Sequence, residues 1–535
     1  MLSAKNGNKL RLPPISYVPV LLAAALMSLN LSVPMGDTDF YWHLAAGRWI
    51  LEHRQIPLTD PFSFSRAGQP WVAHEWLFEA ILAAADRAFQ YPGAVLMGHV
   101  FYWLFAAFFY RWLRLVAPGS SPLLAAFLLF CATFTVFPFW TLRPQIASYT
   151  FFVIFLALLE IGKPSTGRTL GLAALTAVWA NTHGSFPLGP LLVLFKMGSD
   201  FLREARAGLK EPRHQWPTAA FRTLQLVAGR WGWTLLLTAA AGTLNPWGPS
   251  HYLYPLQVTG DAEMMSAIRE WRPPDFHHPY ARYLLFGWLL AFLALPLWRP
   301  ARVRRPDMFF LSVSFLWLTL TSVRYTPYWL VVLSGYLLTT RPSRSPTQMK
   351  WDWQEEGPAG AGTRQEADGP GTGKPARRLE VAIWLWALFF YLSTFARLPL
   401  GPLEANVSRE FPAAAAEKLA SAPPGRKLLN DYNWGGYLIW RLWPQLPVFI
   451  DGRADLYAGG VFSQYRRLKK LQDPQAVLDE WQIDMVLMPP DEPLVSWLRL
   501  HPAWEVWYED AQAVIMKKKG GTKSEGANLR DHPGL

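Results

Sequence analysis

Apolar residues in this chain gather in long unbroken runs rather than in the one-sided stripes of soluble helices. Ile15–Pro34 carries no charge and is long enough to cross about 30 Å of hydrocarbon. Further runs lie near Gly93–Tyr110, Leu123–Trp140, Ile146–Ile161, Leu170–Ala180 and Phe186–Phe195, then near Trp231–Leu244, Tyr283–Trp298, Met308–Leu320, Pro327–Thr339 and Val381–Phe395. The pattern predicts a mostly α, polytopic membrane protein with about eleven transmembrane helices. Between the first two runs, about 35–91, lies a polar loop whose end, HEWLFEAILAAADRAF, has helical spacing suited to a helix along the membrane surface.

The remaining pattern divides the chain. Residues 1–340 read as the transmembrane core. Residues 341–378, rich in Gly, Pro and charge, read as a disordered linker on the cytoplasmic side. Residues 379–398 form the last span. Residues 399–518 read as a small α/β domain: RKLLN, PVFID, DMVLM and QAVIM look like short strands, and WGGYLIWRL and EPLVSWLRL like helices. Residues 519–535 read as a flexible tail.

Composition agrees with a membrane setting. Of the 535 residues 51% are hydrophobic and 17% charged, against roughly 25% charged in soluble domains. A soluble enzyme of this composition is improbable, and a disordered chain is excluded. Cys131 is the one cysteine, so neither an intramolecular disulfide nor a Cys-based zinc site can form. The net charge of +12 would suggest nucleic acid in a soluble protein, but here its sidedness matters and no nucleic-acid partner is expected. With the N-terminus inside, alternation places 25 Lys and Arg on the inner side and nine on the outer side before residue 380. That ratio obeys the positive-inside rule and sends residues 399–518 outward. The first run follows Lys5, Lys9 and Arg11 without a small-residue cleavage site after it, so it reads as an uncleaved first helix.

Unusual polar residues collect at the outer ends of the spans. Asp37, Asp39 and His43 follow the first span, and His74 and Glu75 close the first outer loop. Arg143 lies between the third and fourth spans, Asn181 and His183 between the fifth and sixth, and Asn245 after the seventh. Glu270 sits in REWRPP, and Arg324 between the ninth and tenth spans. A single acid or Arg at a span end often does no more than snorkel to the interface. Convergence of seven separate segments points instead to an outward cavity. There, acids can serve as general bases or as ligands for a hard cation, and arginines can recognise phosphate bidentately. DGRAD (Asp451 to Asp455) reads as a structural turn with a local Arg453 ion pair, and Asn406-Val407-Ser408 matches a glycosylation sequon.

These residues resemble a known superfamily. DTDFYWHLAAGRWI (Asp37 to Ile50) resembles the first-loop motif of the GT-C superfamily, polytopic glycosyltransferases that use polyprenyl-phosphate or polyprenyl-diphosphate sugars. The layout is similar, and WANTHGSF and YNWGGYLIW…PVFIDGRADLY resemble segments of bacterial members. The resemblance implies inverting transfer of a sugar from a polyprenyl-phosphate carrier to a glycan, lipid or protein acceptor at the non-cytoplasmic face of the inner membrane. It gives Asp37 or Asp39 the role of base or orienting group, although Thr38 stands where the motif often has a second acid. Glu75 becomes a second acid, Arg324 and Arg143 become donor-phosphate ligands, and His43, His74, Asn181, His183, Asn245 and Glu270 become acceptor or sugar contacts. It leaves a divalent metal open, because members differ in metal dependence. Two other classes compete. A transporter or lipid flippase would place ionisable residues in mid-span and repeat its halves, whereas an envelope assembly protein would keep the architecture without catalysis.

Overall fold

The computed structural model describes residues 17–31, 33–162, 164–208, 213–259, 266, 268–298, 305–339, 374–397, 401–458 and 460–519. The expected linker as far as residue 373 and the expected tail from residue 520 lie outside them. The chain forms two compact units, one of residues 1–34 and 74–406 and the other of residues 35–73 and 407–535. The polar loop after the first apolar run is thus shared between the two units.

The first unit is helical, and each expected apolar run lies in or overlaps helix: Val18–Ser28, Tyr91–Val116, Pro122–Thr135, Gln145–Glu160, Thr166–Ala180 and Leu188–Gly208, then Trp216–Ala241, Tyr280–Trp298 with a π-helical first turn, Pro306–Thr321, Thr326–Thr339 and Lys374–Phe395. Proline in the first turn sets several of the starts (Pro92, Pro122, Pro217, Pro306), where its fixed φ suits the helix and its missing N–H costs nothing. Among the described residues the helix Tyr91–Val116 is long and apolar enough to cross a membrane. Shorter apolar helices include Val18–Leu31, Pro122–Thr135, Gln145–Glu160 and Asp307–Thr321. Thr326–Thr339 is apolar all round and buried along nearly its whole length. Gly335 lets it approach the helix Tyr91–Val116, since a Cβ there would stand 2.4 Å from the Trp112 ring.

Residues 196–230, between two of the expected apolar runs, are mostly helical where described. Charges end the apolar run at Phe195, yet the helix continues to Gly208 because its buried acid is neutralised. Asp200 accepts from Trp231 Nε1 at 2.8 Å and Arg230 Nη1 at 3.3 Å on the neighbouring helix, and from Arg203 one turn on.

The second unit is built on a four-stranded sheet in the order β1 (Leu428–Asn430), β2 (Met485–Met488), β4 (Val514–Lys518), β3 (Trp504–Glu509). β1 and β2 are parallel, and the other two pairs are antiparallel. PVFID was expected as a strand but makes only isolated bridges through Val448. The Asn430 side chain takes the place of a ladder partner: its Oδ1 accepts from Phe449 N at 2.9 Å, and its Nδ2 donates to Ile450 O at 2.7 Å. β3 was not expected, because a bulge at Val506/Tyr508 interrupts its alternation and only Trp504 of its six residues is buried.

Residues 35–73 are integral to this unit. Ser408 N donates to Met35 O, Phe64 N to Val448 O, and Val448 N to Phe62 O. The helix Phe40–His53 packs on the helix Gly435–Leu442, with Tyr41 edge-on to Phe411 and Tyr437. Arg453 is the polar centre. Its guanidinium donates twice to Asp451 (2.8 and 2.7 Å) and once to Asp60 (2.6 Å), and it lies over the Trp71 ring at 4.7 Å. The DGRAD ion pair is therefore present, with a second carboxylate contributed by residue 60. Burial alone would lower the Arg453 pKa, but Asp451 and Asp60 raise it well above its ordinary value.

Candidate active site

Eight of the site residues expected from the sequence fall in the helical unit, and all but Asn245 meet around one cluster there. Glu75 precedes the helix Trp76–Phe89. Its Oε1 lies 3.6 Å from His74 Nε2 and 3.7 Å from His183 Nε2. One turn on, the buried Glu79 brings a second carboxylate oxygen within 4.8 Å of Glu75, so the pair can share a divalent cation.

The turn between the helices ending at Ala180 and beginning at Leu188 supplies the imidazole. Asn181 fixes it to the Glu75 segment: its Oδ1 accepts from Trp76 Nε1 at 2.8 Å, and its backbone carbonyl accepts from Leu77 N at 3.0 Å. Asn181 Nδ2 donates to Leu244 O at 2.7 Å, which ties in a third connection. His183 is buried, and its Nδ1 lies 2.9 Å from both Ser148 Oγ and Ser185 Oγ. Burial, then the Arg324 guanidinium, then the His74 and His251 imidazoles hold its pKa well below the ordinary imidazole range.

Arg324 reaches this cluster from the short 3-10 turn Val323–Tyr325. Its guanidinium lies 4.1 Å above the Trp271 ring, and among the described residues no carboxylate pairs with it. Two hydrogen bonds fasten its turn to the REWRPP segment, from Ser322 Oγ to Glu270 O and from Val323 N to Arg272 O. Arg143 Nη1 in turn donates to Glu270 Oε1 at 3.2 Å. Arg324 is thus a cation stacked on an aromatic ring, whereas Arg143 already holds an acid. Asn245 acts locally. Its amide donates to Gly242 O and Gly248 O, and its Oδ1 accepts from Trp247 N, which holds a turn.

Asp37, Asp39 and His43 belong to the sheet-containing unit. Asp37 Oδ1 accepts from Asp39 N at 2.9 Å and Phe40 N at 3.4 Å, and so caps the helix Phe40–His53. His43 is buried against Trp42, with ring centroids 3.6 Å apart. Asp39 lies against the DGRAD turn: a Cβ on Gly452 would stand 2.0 Å from Asp39 Oδ1. A Cβ on Gly436 would likewise stand 2.5 Å from Thr38 O. Two sequence segments about 400 positions apart, DTDFYWH and NWGG…DGRAD, therefore form one surface on which only glycine fits.

Sequence reasoning missed Ser148, Ser185, Trp179 and Tyr328 around His183, together with Trp271 and His251. Trp179 and Ser185 were within reach, since both belong to WANTHGSF. Ser148 carries no such signal, being one hydroxyl in an apolar helix.

No protein-family model matches the chain, and no curated protein matches it significantly in sequence. Among solved structures, the chain is similar to the Archaeoglobus fulgidus oligosaccharyltransferase tethered to an acceptor peptide containing the NVT sequon. The TM-score is 0.51 at 11% identity, over 89% of this chain and 69% of that one. The same archaeal enzyme, AglB, with an inhibitory peptide and a dolichol-phosphate gives 0.49 at 10% identity, over 88% and 69%. ArnT from Cupriavidus metallidurans bound to undecaprenyl phosphate gives 0.43 at 14% identity, over 94% and 97%. At these identities the likeness is one of fold. The chain shares the fold of that archaeal oligosaccharyltransferase.

Proposed function

We propose that this chain is a membrane glycosyltransferase of the GT-C type that moves a sugar, with inversion, from a polyprenyl-phosphate carrier to an acceptor at the non-cytoplasmic face. The observation that carries the reading is the meeting of Glu75, His183 and Arg324, from connections far apart in sequence, on a fold shared with an oligosaccharyltransferase. A membrane setting with about eleven spans is supported by large apolar side chains left exposed on the helical unit, among them Trp233, Leu293, Trp317 and Phe389.

The residues divide the chemistry. A carboxylate beside the acceptor hydroxyl or amine takes up or orients its proton as that group attacks the anomeric carbon, and the carrier phosphate departs. The first-loop motif offers Asp37 and Asp39 for this role, and we assign the acceptor to one of this pair. Arg324, preset by Trp271, takes the departing phosphate, where a guanidinium in a partly dry site stabilises growing negative charge. Arg143 can join it only by leaving Glu270. A divalent cation on Glu75 and Glu79 would supply positive charge for the same chemistry.

The test supplies purified protein with radiolabelled polyprenyl-phosphate sugars and a membrane or cell-wall extract. The reading expects label in the extract and its loss when Asp37→Asn and Asp39→Asn are combined. Transfer that survives Asp37→Asn and Asp39→Asn together refutes the assigned mechanism. Reporter fusions after Arg66 and after Asp455 should both report the outside, and a cytoplasmic signal from either refutes the topology.

A further inference from the structure

The hydrogen bonds around His183 have a direction, and the direction fixes its protons. The Ser185 backbone N–H can only donate, and it points at His183 Nδ1 at 3.2 Å. That nitrogen is therefore an acceptor and carries no hydrogen, which excludes both the imidazolium and the Nδ1–H tautomer. The neutral ring must hold its proton on Nε2. A second group that can only donate points into the same cluster: Trp179 Nε1–H donates to Ser148 Oγ at 2.7 Å, and that oxygen lies 2.9 Å from Nδ1, where it can donate its own hydrogen to the bare nitrogen. Ser185 Oγ completes the ring of contacts, 2.6 Å from Ser148 Oγ and 3.3 Å from Tyr328 Oη. The face of His183 opposite this cluster looks at Glu75 Oε1 across 3.7 Å. That separation exceeds a hydrogen bond and would need to close by about half an ångström, a tightening common when a substrate arrives.

We infer that His183 is a positioning residue, locked by Trp179, Ser148 and Ser185 so that its Nε2–H faces Glu75 and holds that carboxylate as an oriented anion. The inference deepens the transferase reading and rests on it only for the role of Glu75. His183 cannot act as a base through Nδ1, which is already occupied by donors. Nor can Nε2 ligate a metal while it carries the proton. A carboxylate held in this way keeps its lone pairs directed, as acids beside metals and substrates are held by imidazole N–H groups elsewhere. Its neighbour His74, at 3.6 Å from the same oxygen, is partly exposed and stacks at a tilt on Tyr254.

Two measurements test this in the full-length protein in detergent. In protein labelled with 15N-histidine, the wild-type spectrum minus that of His183→Gln should show a bare Nδ1 and a protonated Nε2. A protonated Nδ1, or an average of the two tautomers, overturns the lock. In the transfer assay, Ser148→Ala and Trp179→Phe should each lower kcat roughly 10- to 100-fold, as removal of such outer partners typically does. KM for the donor should stay within about twofold if the effect is on orientation alone. In a Glu75→Gln background, Ser148→Ala should cost nothing more. A loss of the same size in both backgrounds shows that the lock does not act through Glu75 and overturns the positioning role. No turnover by the wild-type protein refutes the transferase reading instead, and the tautomer measurement still decides the lock.

Discussion

Replacing Arg453 with Met removes the charge at the centre of the sheet-containing unit while keeping most of its volume. The side chain is 1% exposed and its two partner carboxylates are 0% exposed. Each carboxylate keeps some backbone donors: Asp60 accepts from Phe62 N and Ser63 N, and Asp451 from the N–H of residue 453. The charge itself, however, would lose its counterion. Breaking a buried ion pair by removing one partner costs about 3–5 kcal/mol, because the remaining ion stays buried without compensation. Two stranded carboxylates place Arg453→Met toward the upper end. For a unit of about 150–250 residues, each kcal/mol lowers Tm by roughly 2–4 °C, so a fall of about 10 °C or more is expected. Hydrogen exchange localises the effect. The amides of Phe64 and Val448, which join residues 35–73 to the DGRAD region, should exchange at least about 100-fold faster. Asp60→Asn added to Arg453→Met should recover part of the loss by removing one stranded charge. Protection within about 1 kcal/mol of wild type in Arg453→Met alone, or a double variant no better than the single, would refute the account.

Three further outcomes follow from the geometry. Gly452→Ala must displace the Asp39 carboxylate, because the new Cβ would stand 2.0 Å from it; kcat in the transfer assay should fall at least about tenfold, with most of the thermal stability retained. Arg324→Lys keeps a positive charge but loses the planar stack on Trp271, so donor KM should rise severalfold, and more than in Arg143→Lys, whose parent residue already holds Glu270. Burial, then the His74 charge, lowers the His251 pKa to about 4 against an unfolded value of 6.5, so the folded state resists a proton that the unfolded state accepts. The stability this neutral imidazole contributes is present above about pH 6.5 and drains away as pH falls toward 4. Thermal melts across that window should decline, and His251→Phe, which keeps the stack on Phe186, should flatten the decline.

Much of the helical unit was legible in the chain because its apolar runs leave little choice of structure: such residues must be buried or face lipid, and a helix is the one segment that satisfies its own backbone there. Reading failed where satisfaction came from elsewhere. The helix that begins at Leu188 outruns its apolar run because Trp231 and Arg230, on another helix, neutralise Asp200. PVFID lacks ladder bonds because Asn430 occupies its backbone donors, and no local pattern announces that an amide will do so.

The sequence by itself determined the helical class, the positions of the apolar segments, the presence of a strand-containing C-terminal region, and the residue types available for phosphate and acid chemistry. Periodicity and charge are properties of neighbours along the chain, so those conclusions needed no folding. Tertiary structure alone decided which of these residues meet. It brought Glu75, His183 and Arg324 together, sent Asn245 to a turn, and set Asp39 on Gly452 across some 400 residues of sequence. It also decided the proton on His183, because a tautomer depends on which donors surround a ring in space, and those donors come from two helices and the turn that joins one of them to the next.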